Sequence, residues 1–239
     1  MSAELRDRFR TAISALVLFT LAFTIAPGRL LPDTKLDMPL NPGAFLTRAL
    51  HMWDPSAYFG QVQNMAYGYF FPMGPFFLLG HALDIPPWVT QRLWIALILC
   101  TAFLGIVKLA QALGIGNGTS RILAGFAYAL APKAQELIAV NSSEFLPAAL
   151  LPWIMLPLVR SRGSPRRAAA QSALAVVCCG GINATAEFAV LLVPLVYLLT
   201  REKGPRKRRL LAWWLPLTAA ATFWWLAPSY LMGLSLIHI

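Results

Sequence analysis

The sequence predicts an all-α, polytopic transmembrane helical bundle, and three observations carry that reading. Hydrophobic residues make up 58 % of the chain and mean hydropathy is +0.61. Charged residues make up only 13 %, against about 25 % in a soluble domain, too few to cover a globular surface with water-compatible groups. The basic residues also sit in short runs between apolar stretches, as they do in cytoplasmic membrane loops. That pattern accounts for the net charge of +10 without nucleic acid as a partner.

A crossing helix needs about 20 mostly apolar residues, with about 17 as a lower limit. Seven segments are expected to span, at 11–26, 91–111, 121–137, 145–159, 168–180, 184–200 and 209–226. With the N-terminus in the cytoplasm, alternation places Arg6, Arg8 and Arg10, Lys108 and Arg121, Arg160–Arg167 and Arg201–Arg209 on the inner side. Only Arg29, Lys35, Arg48, Arg92 and Lys133 remain outside that set. This obeys the positive-inside rule at each inner segment and predicts a multi-pass plasma-membrane protein. Cys100, Cys178 and Cys179 lie in apolar stretches and read as buried free thiols.

The first outer loop, 27–90, is far longer than the others, and long ordered loops are usually functional. Asn41-Pro42 and Asp54-Pro55 each place a capping side chain before a proline at the first helical position. Short interfacial helices are therefore expected over 42–52 and 55–66. The stretch Tyr67–Leu83 is apolar but broken by Pro72, Gly74, Pro75 and Gly80. Were it to cross, the later basic loops would face outward, so it is expected to lie in or dip into the outer leaflet.

The acids sort the opposite way. Asp33, Asp37, Asp54, Asp84, Glu136, Glu144 and Glu187 fall on the outer side. Acids have little influence on topology and are costly near a membrane unless used or paired. Asp54 reads as a helix cap or a binding residue, Glu144 as the partner of Asn141 in a capping box or a binding residue. Glu187 reads as a first-turn acid that the helix dipole favours, and Asp84 as a turn residue. Asp33 follows Pro32 directly after the first span, and capping of any neighbouring helix explains it poorly, so it is the leading candidate for chemistry. Asp37 either shares its site or pairs with Lys35 or Arg48. Trp53, Tyr58, Phe59, Tyr67, Tyr69, Phe70 and Phe71 accompany Gln61, Gln63 and Asn64. Flat aromatic faces beside amides suit a sugar, and they equally suit an interfacial aromatic belt. His51 and His81 lack ligand spacing for a metal site.

Several strings carry a family resemblance: Asp33-Thr-Lys-Leu-Asp37, Asn41-Pro-Gly43, Trp53-Asp-Pro55 and Gly68-Tyr-Phe-Phe-Pro-Met-Gly-Pro-Phe76, with Gln91-Arg-Leu-Trp94, Ser142-Ser-Glu144 and Gly163-Ser-Pro-Arg-Arg167. Together with a first span followed at once by an acidic outer loop, they resemble the actinobacterial α-(1→3)-arabinofuranosyltransferases, membrane glycosyltransferases of GT-C type. The resemblance covers nearly the whole chain. It implies transfer of an arabinofuranosyl group from decaprenyl-phosphate-arabinose to cell-wall arabinan at the outer face. Asp33 would be the general base, with Asp37 assisting. Arg92 and Lys133 would offset the leaving phosphate's charge. Trp53, Asp54, Gln61, Asn64, Tyr69 and Glu144 would bind substrate. A divalent cation is a candidate cofactor that no ligand spacing specifies.

Members of that family are longer, with further spans and carbohydrate-binding modules, so residues 1–239 are expected to form the N-terminal part of the transmembrane domain, with an incomplete site. The basic inner loops suit anionic lipid or an acidic cytoplasmic protein such as an acyl carrier protein. The rival readings are another transferase using a polyprenyl-phosphate sugar, such as a mannosyltransferase, and a lipid or sugar transporter. The transporter reading expects charges deep within spans, where this sequence has almost none.

Overall fold

The structure is a computed structural model and describes residues 3–33, 35–55, 60–62, 66–160, 163–200 and 204–237. It is helical apart from one two-residue hairpin ladder. Helix α1 (Ala3–Thr24) is followed by the short helices α2 (Asp37–Leu40) and α3 (Pro42–Ala49), the ladder of β1 (Trp53–Asp54) with β2 (Gln61–Val62), a 3-10 turn (Ala66–Tyr69) and α4 (Met73–Ala82). The bundle continues with α5 (Pro87–Ala112), α6 (Gly118–Ala129), α7 (Pro132–Val140), α8 (Ser142–Val159), α9 (Pro165–Val177), α10 (Ala184–Thr200) and α11 (Pro205–Ile237).

Local chemistry sets most of these starts. Asn41 Oδ1 accepts the Ala44 N–H at 3.1 Å ahead of Pro42. Asn117 and Ser120 form a reciprocal capping box at α6, and Ser164 caps α9 with Pro165 in its first turn. Among the described residues, three helices are long and apolar enough to cross a bilayer by length and composition: α5 at mean hydropathy 2.3, α8 at 1.4 and the Pro205–Leu231 part of α11 at 1.3, with α10 apolar but shorter.

Two expectations are corrected. The segment 121–137 is not one helix: it breaks at Leu130–Ala131 between α6 and α7. Pro132 has no N–H to continue the ladder and drives Ala131 to an extended ψ of 144°. Of the helix expected over 55–66, residues 56–59 and 63–65 lie outside the described residues; among the rest, Gln61–Val62 forms β2, and Asp54 pairs with Gln61. Gly60, at φ +91°, turns the chain under the Trp53 ring, where a Cβ would collide. Asp-Pro begins turns as readily as helices, and Asp54 stands in a strand pair with Gln61. Tyr67–Leu83 forms the 3-10 turn and the ten-residue α4, a rise of about 15 Å, half of a hydrocarbon core about 30 Å thick.

Helix α5 is the centre of the first half, packing on α1, α6 and α8. Its core joins Leu18, Met38, Phe45, Phe77, Trp94, Ile98, Phe103 and Phe145. Helix α8 also faces α9 and α10, and α9 packs on α11. The second core holds Leu158, Ala169, Leu198, Leu210 and Trp214. Close approach of α5 to α8 depends on Gly105, where a Cβ would lie 2.8 Å from Trp153 Nε1 and 3.0 Å from Pro152 Cβ. Small residues permit such contacts between membrane helices. The same indole N–H donates to Thr101 O at 2.9 Å.

Replacing Gly105 with Leu should therefore part α5 from α8 and cost roughly 1–3 kcal/mol. Thermal unfolding in detergent should show a lowered midpoint, whereas Gly204→Ala, with open space around its Cβ position, should leave it unchanged.

Candidate functional site

The chain leaving α1 has no regular structure between Ile25 and Pro32, so its carbonyls must find donors elsewhere. Arg92, in the second turn of α5 and fully buried, supplies them. Its Nε donates to Ile25 O at 2.8 Å, and its Nη2 to Ala26 O at 3.2 Å and Arg29 O at 2.8 Å. Nη1 donates to Gln91 Oε1 at 3.0 Å. Gln91 in turn accepts the Leu31 N–H at 2.8 Å and donates to Leu31 O at 3.1 Å. The first turns of α5 thus hold the whole connection down to residue 31.

That clamp delivers Asp33 to the start of α8. Asp33 is 6 % exposed. Its Oδ1 accepts the Ser142 backbone N–H at 3.0 Å, and its Oδ2 accepts the Ser142 hydroxyl. The Trp94 indole donates to Ser142 Oγ at 3.1 Å. Phe76 and Phe77 pack on Trp94 at 5.2 and 6.2 Å between ring centroids. Asp33 therefore caps a helix 109 residues away in sequence, and a carboxylate there also meets the positive end of the helix dipole. Asn141 does not cap α8 by itself. Its Nδ2 donates to Glu144 Oε2 at 2.9 Å, and its Oδ1 accepts the Ser143 hydroxyl at 2.8 Å.

Next to Trp94, sharing Phe77 as a wall, is a cavity of about 260 Å³ bounded by Pro39, Leu40, His81, Asp84 and Thr90. The same end of the molecule gathers the second half of the chain. Gly181 N–H donates to Gly68 O at 3.3 Å, and the Tyr67 and Ser229 hydroxyls lie 2.8 Å apart. Glu187, 1 % exposed, lies beside fully buried Trp225, without the alignment of a hydrogen bond. The end of α1 and the starts of α5, α8 and α10 thus lie together, and Asp33, Asp84, Glu144 and Glu187 share that end.

The other expected site residues divide. Asp37, four residues beyond Asp33, is half-exposed and ion-paired with Arg48, joining α2 to α3. Glu144 is half-buried beside Asn141. Lys133 is exposed on α7 and pairs with Glu136 at 3.2 Å. Trp53 is 54 % exposed on the hairpin, and Asp54 is half-buried in its ladder. Gln61 is placed by its backbone in β2 alone, and Asn64, with Tyr58, Phe59 and Gln63, lies outside the described residues.

Two expectations take a different form. Arg92 does not face a surface a phosphate could reach: it is fully buried and spends its donors on carbonyls and Gln91. Tyr69 does not face a ligand surface either. It is 1 % exposed and packs edge-on against Phe45 at 5.4 Å. Ser142, Trp94 and Gln91 received no role from the sequence, although each stands in one of the motif strings. Among the described residues no group of three or more His, Cys, Asp or Glu side chains converges as a metal site would.

The comparisons with known proteins agree with one another. Residues 17–236 match the family model described as the α-(1→3)-arabinofuranosyltransferase N-terminal GT-C domain. The α-(1→3)-arabinofuranosyltransferase of Mycobacterium tuberculosis is 42 % identical over 239 residues, covering 98 % of this chain and 17 % of its own length. That of Mycolicibacterium smegmatis is 44 % identical over 216 residues, covering 89 % and 15 %. The cryo-EM structure of arabinofuranosyltransferase AftD from Mycobacteria superposes with a TM-score of 0.90 at 45 % identity, over 95 % of this chain and 18 % of that one. The chain thus spans less than a fifth of the length of the relatives it matches.

Removing the Arg92 side chain takes the donor from the Ile25 and Arg29 carbonyls, while Ala26 O keeps the Arg29 N–H at 3.2 Å; a buried carbonyl left unmet costs about 1–3 kcal/mol. Arg92→Ala should lower the thermal midpoint sharply and open a cysteine introduced at Leu31 to alkylation. Arg92→Lys should rescue only part of this, because an ammonium lacks the planar fork.

Proposed function

The chain belongs to the α-(1→3)-arabinofuranosyltransferase family, as its N-terminal GT-C domain, and we propose that the complete protein transfers an arabinofuranosyl group from decaprenyl-phosphate-arabinose to arabinan, forming an α-1,3 branch. Asp33 is the residue we assign as general base. The observation that carries this assignment is a nearly buried carboxylate, fixed by the Ser142 backbone N–H through one oxygen, at the end of the molecule where the acids collect. Its other oxygen accepts the Ser142 hydroxyl. A hydroxyl can turn aside, whereas a backbone N–H cannot.

In the proposed step the acceptor hydroxyl oxygen bonds to the anomeric carbon as the bond from that carbon to the phosphate oxygen breaks. Asp33 Oδ2 takes the hydroxyl proton, and the electron pair leaves with the polyprenyl phosphate. Ser142 and Trp94 act as positioning residues that keep Asp33 aimed. The neighbouring cavity, with His81 and Asp84 beside Phe77 and three prolines, offers the mixed polar and apolar lining that a pentose ring presents in return. Lys133 is the remaining candidate for the leaving phosphate, and Asp37 supports the loop through Arg48. We place the N-terminus and the basic loops in the cytoplasm and the Asp33 end at the outer face, following the charge distribution.

In the complete protein, Asp33→Asn should keep the melting temperature, since an amide still accepts from Ser142. It should also cut transfer by about 10²–10⁴-fold, the usual worth of a positioned acid or base. Wild-type turnover in that variant, measured with decaprenyl-phosphate-arabinose and an arabinan oligosaccharide, would overturn the assignment.

A further inference from the structure

We propose that a cavity at the opposite end of the bundle is a binding site for one anionic phospholipid, a role separate from sugar transfer. The cavity lies between α1, α5 and α6 and holds about 690 Å³. Ala12, Ala15, Leu104 and Val107 form its apolar floor, and Lys108 and Arg121 stand on its rim.

Both cations are held in place without being neutralised. Lys108 Nζ lies 4.7 Å from the centre of the Trp153 ring, whose face attracts a cation but carries no charge. Arg121 donates from Nε to Ile115 O at 2.8 Å and from Nη2 to Gly116 O at 2.7 Å, in the turn between α5 and α6. Among the described residues no carboxylate forms an ion pair with either. Two acids also line the cavity. Glu4 pairs with Arg8 at 2.8 Å. Asp7 packs against Gly118 in the first turn of α6, where the helix dipole favours it.

The cavity therefore asks for an anion above a hydrocarbon. A free phosphate would satisfy the rim and leave the floor unfilled. A phospholipid satisfies both, with its phosphate between Lys108 and Arg121 and an acyl chain along the alanines of α1. Leu16 and Phe19, four residues beyond Ala12 and Ala15, are exposed and extend the apolar track on the same helix face. Basic residues bordering a membrane attract anionic headgroups in this way.

Native mass spectrometry of the complete protein, supplied with phosphatidylglycerol or phosphatidylcholine of identical chains, tests this. Phosphatidylglycerol should be retained preferentially. Lys108→Ala should weaken that retention about fivefold, the contribution of one cation, and leave phosphatidylcholine unaffected, while Lys108→Arg should preserve it. Ala12→Phe, which fills the floor and leaves the rim intact, should remove one bound phosphatidylglycerol per protein. Equal retention of the two lipids, or retention unchanged by Lys108→Ala or Ala12→Phe, would overturn the proposal. So would displacement of phosphatidylglycerol by glycerol 3-phosphate, which has no acyl chain and would mark a simple phosphate site.

Discussion

One buried guanidinium organises the end of the molecule where the acids lie. The connection after α1 must fold back over α5 without a helix or strand of its own, and its carbonyls would be costly to bury unmet. Arg92 meets those of Ile25, Ala26 and Arg29, and Gln91 treats Leu31 as a strand neighbour would, accepting from its N–H and donating to its carbonyl. A planar fork of five donors suits this task better than an ammonium. The position of Asp33, two residues further on, is inherited from that clamp.

Asp33 then ties the first helix to the eighth. A helix start leaves N–H groups without partners, and the local residue Asn141 is turned toward Glu144 and Ser143 instead. Asp33 takes over as the cap of α8. Helix α8 is itself placed between two cores and carries Pro147, Pro152 and Pro157 along its length. Irregular helices of this kind are tolerated in a membrane where protein covers them, and α5, α9 and α10 do so. A close stack of Gly68, Gly181 and Trp225 joins the 3-10 turn before α4 to the second half. The Asp33 end is thus built by segments distant in sequence, none of which could form it alone.

Where the sequence misleads, the cause is a partner that no local signal reveals. Arg92 near a helix start reads as a phosphate ligand because its charge is visible and the carbonyls that absorb it are not. Tyr69 reads as a sugar platform because an aromatic near amides is visible and its burial against Phe45 is not. Asp54-Pro55 carries a helix signal that the pairing with Gln61 overrides. Asp33 was singled out because no neighbouring helix needed it as a cap, and a distant helix proved to use it so. The alternatives left open for Asp37 include the Arg48 pair that forms.

The class of protein was determined by the sequence alone. Low charge, long apolar runs and basic clusters between them depend on composition and order, and lipid admits few architectures for such a chain. The helix starts at Asn41, Asn117 and Ser164 were equally local, since a cap and its target lie within three residues. Tertiary structure alone decided which acid meets which helix end and which guanidinium is buried against the carbonyls of a distant segment. Those outcomes depend on groups some 60 to 109 residues apart, and no periodicity or spacing in a sequence encodes a distance across the fold.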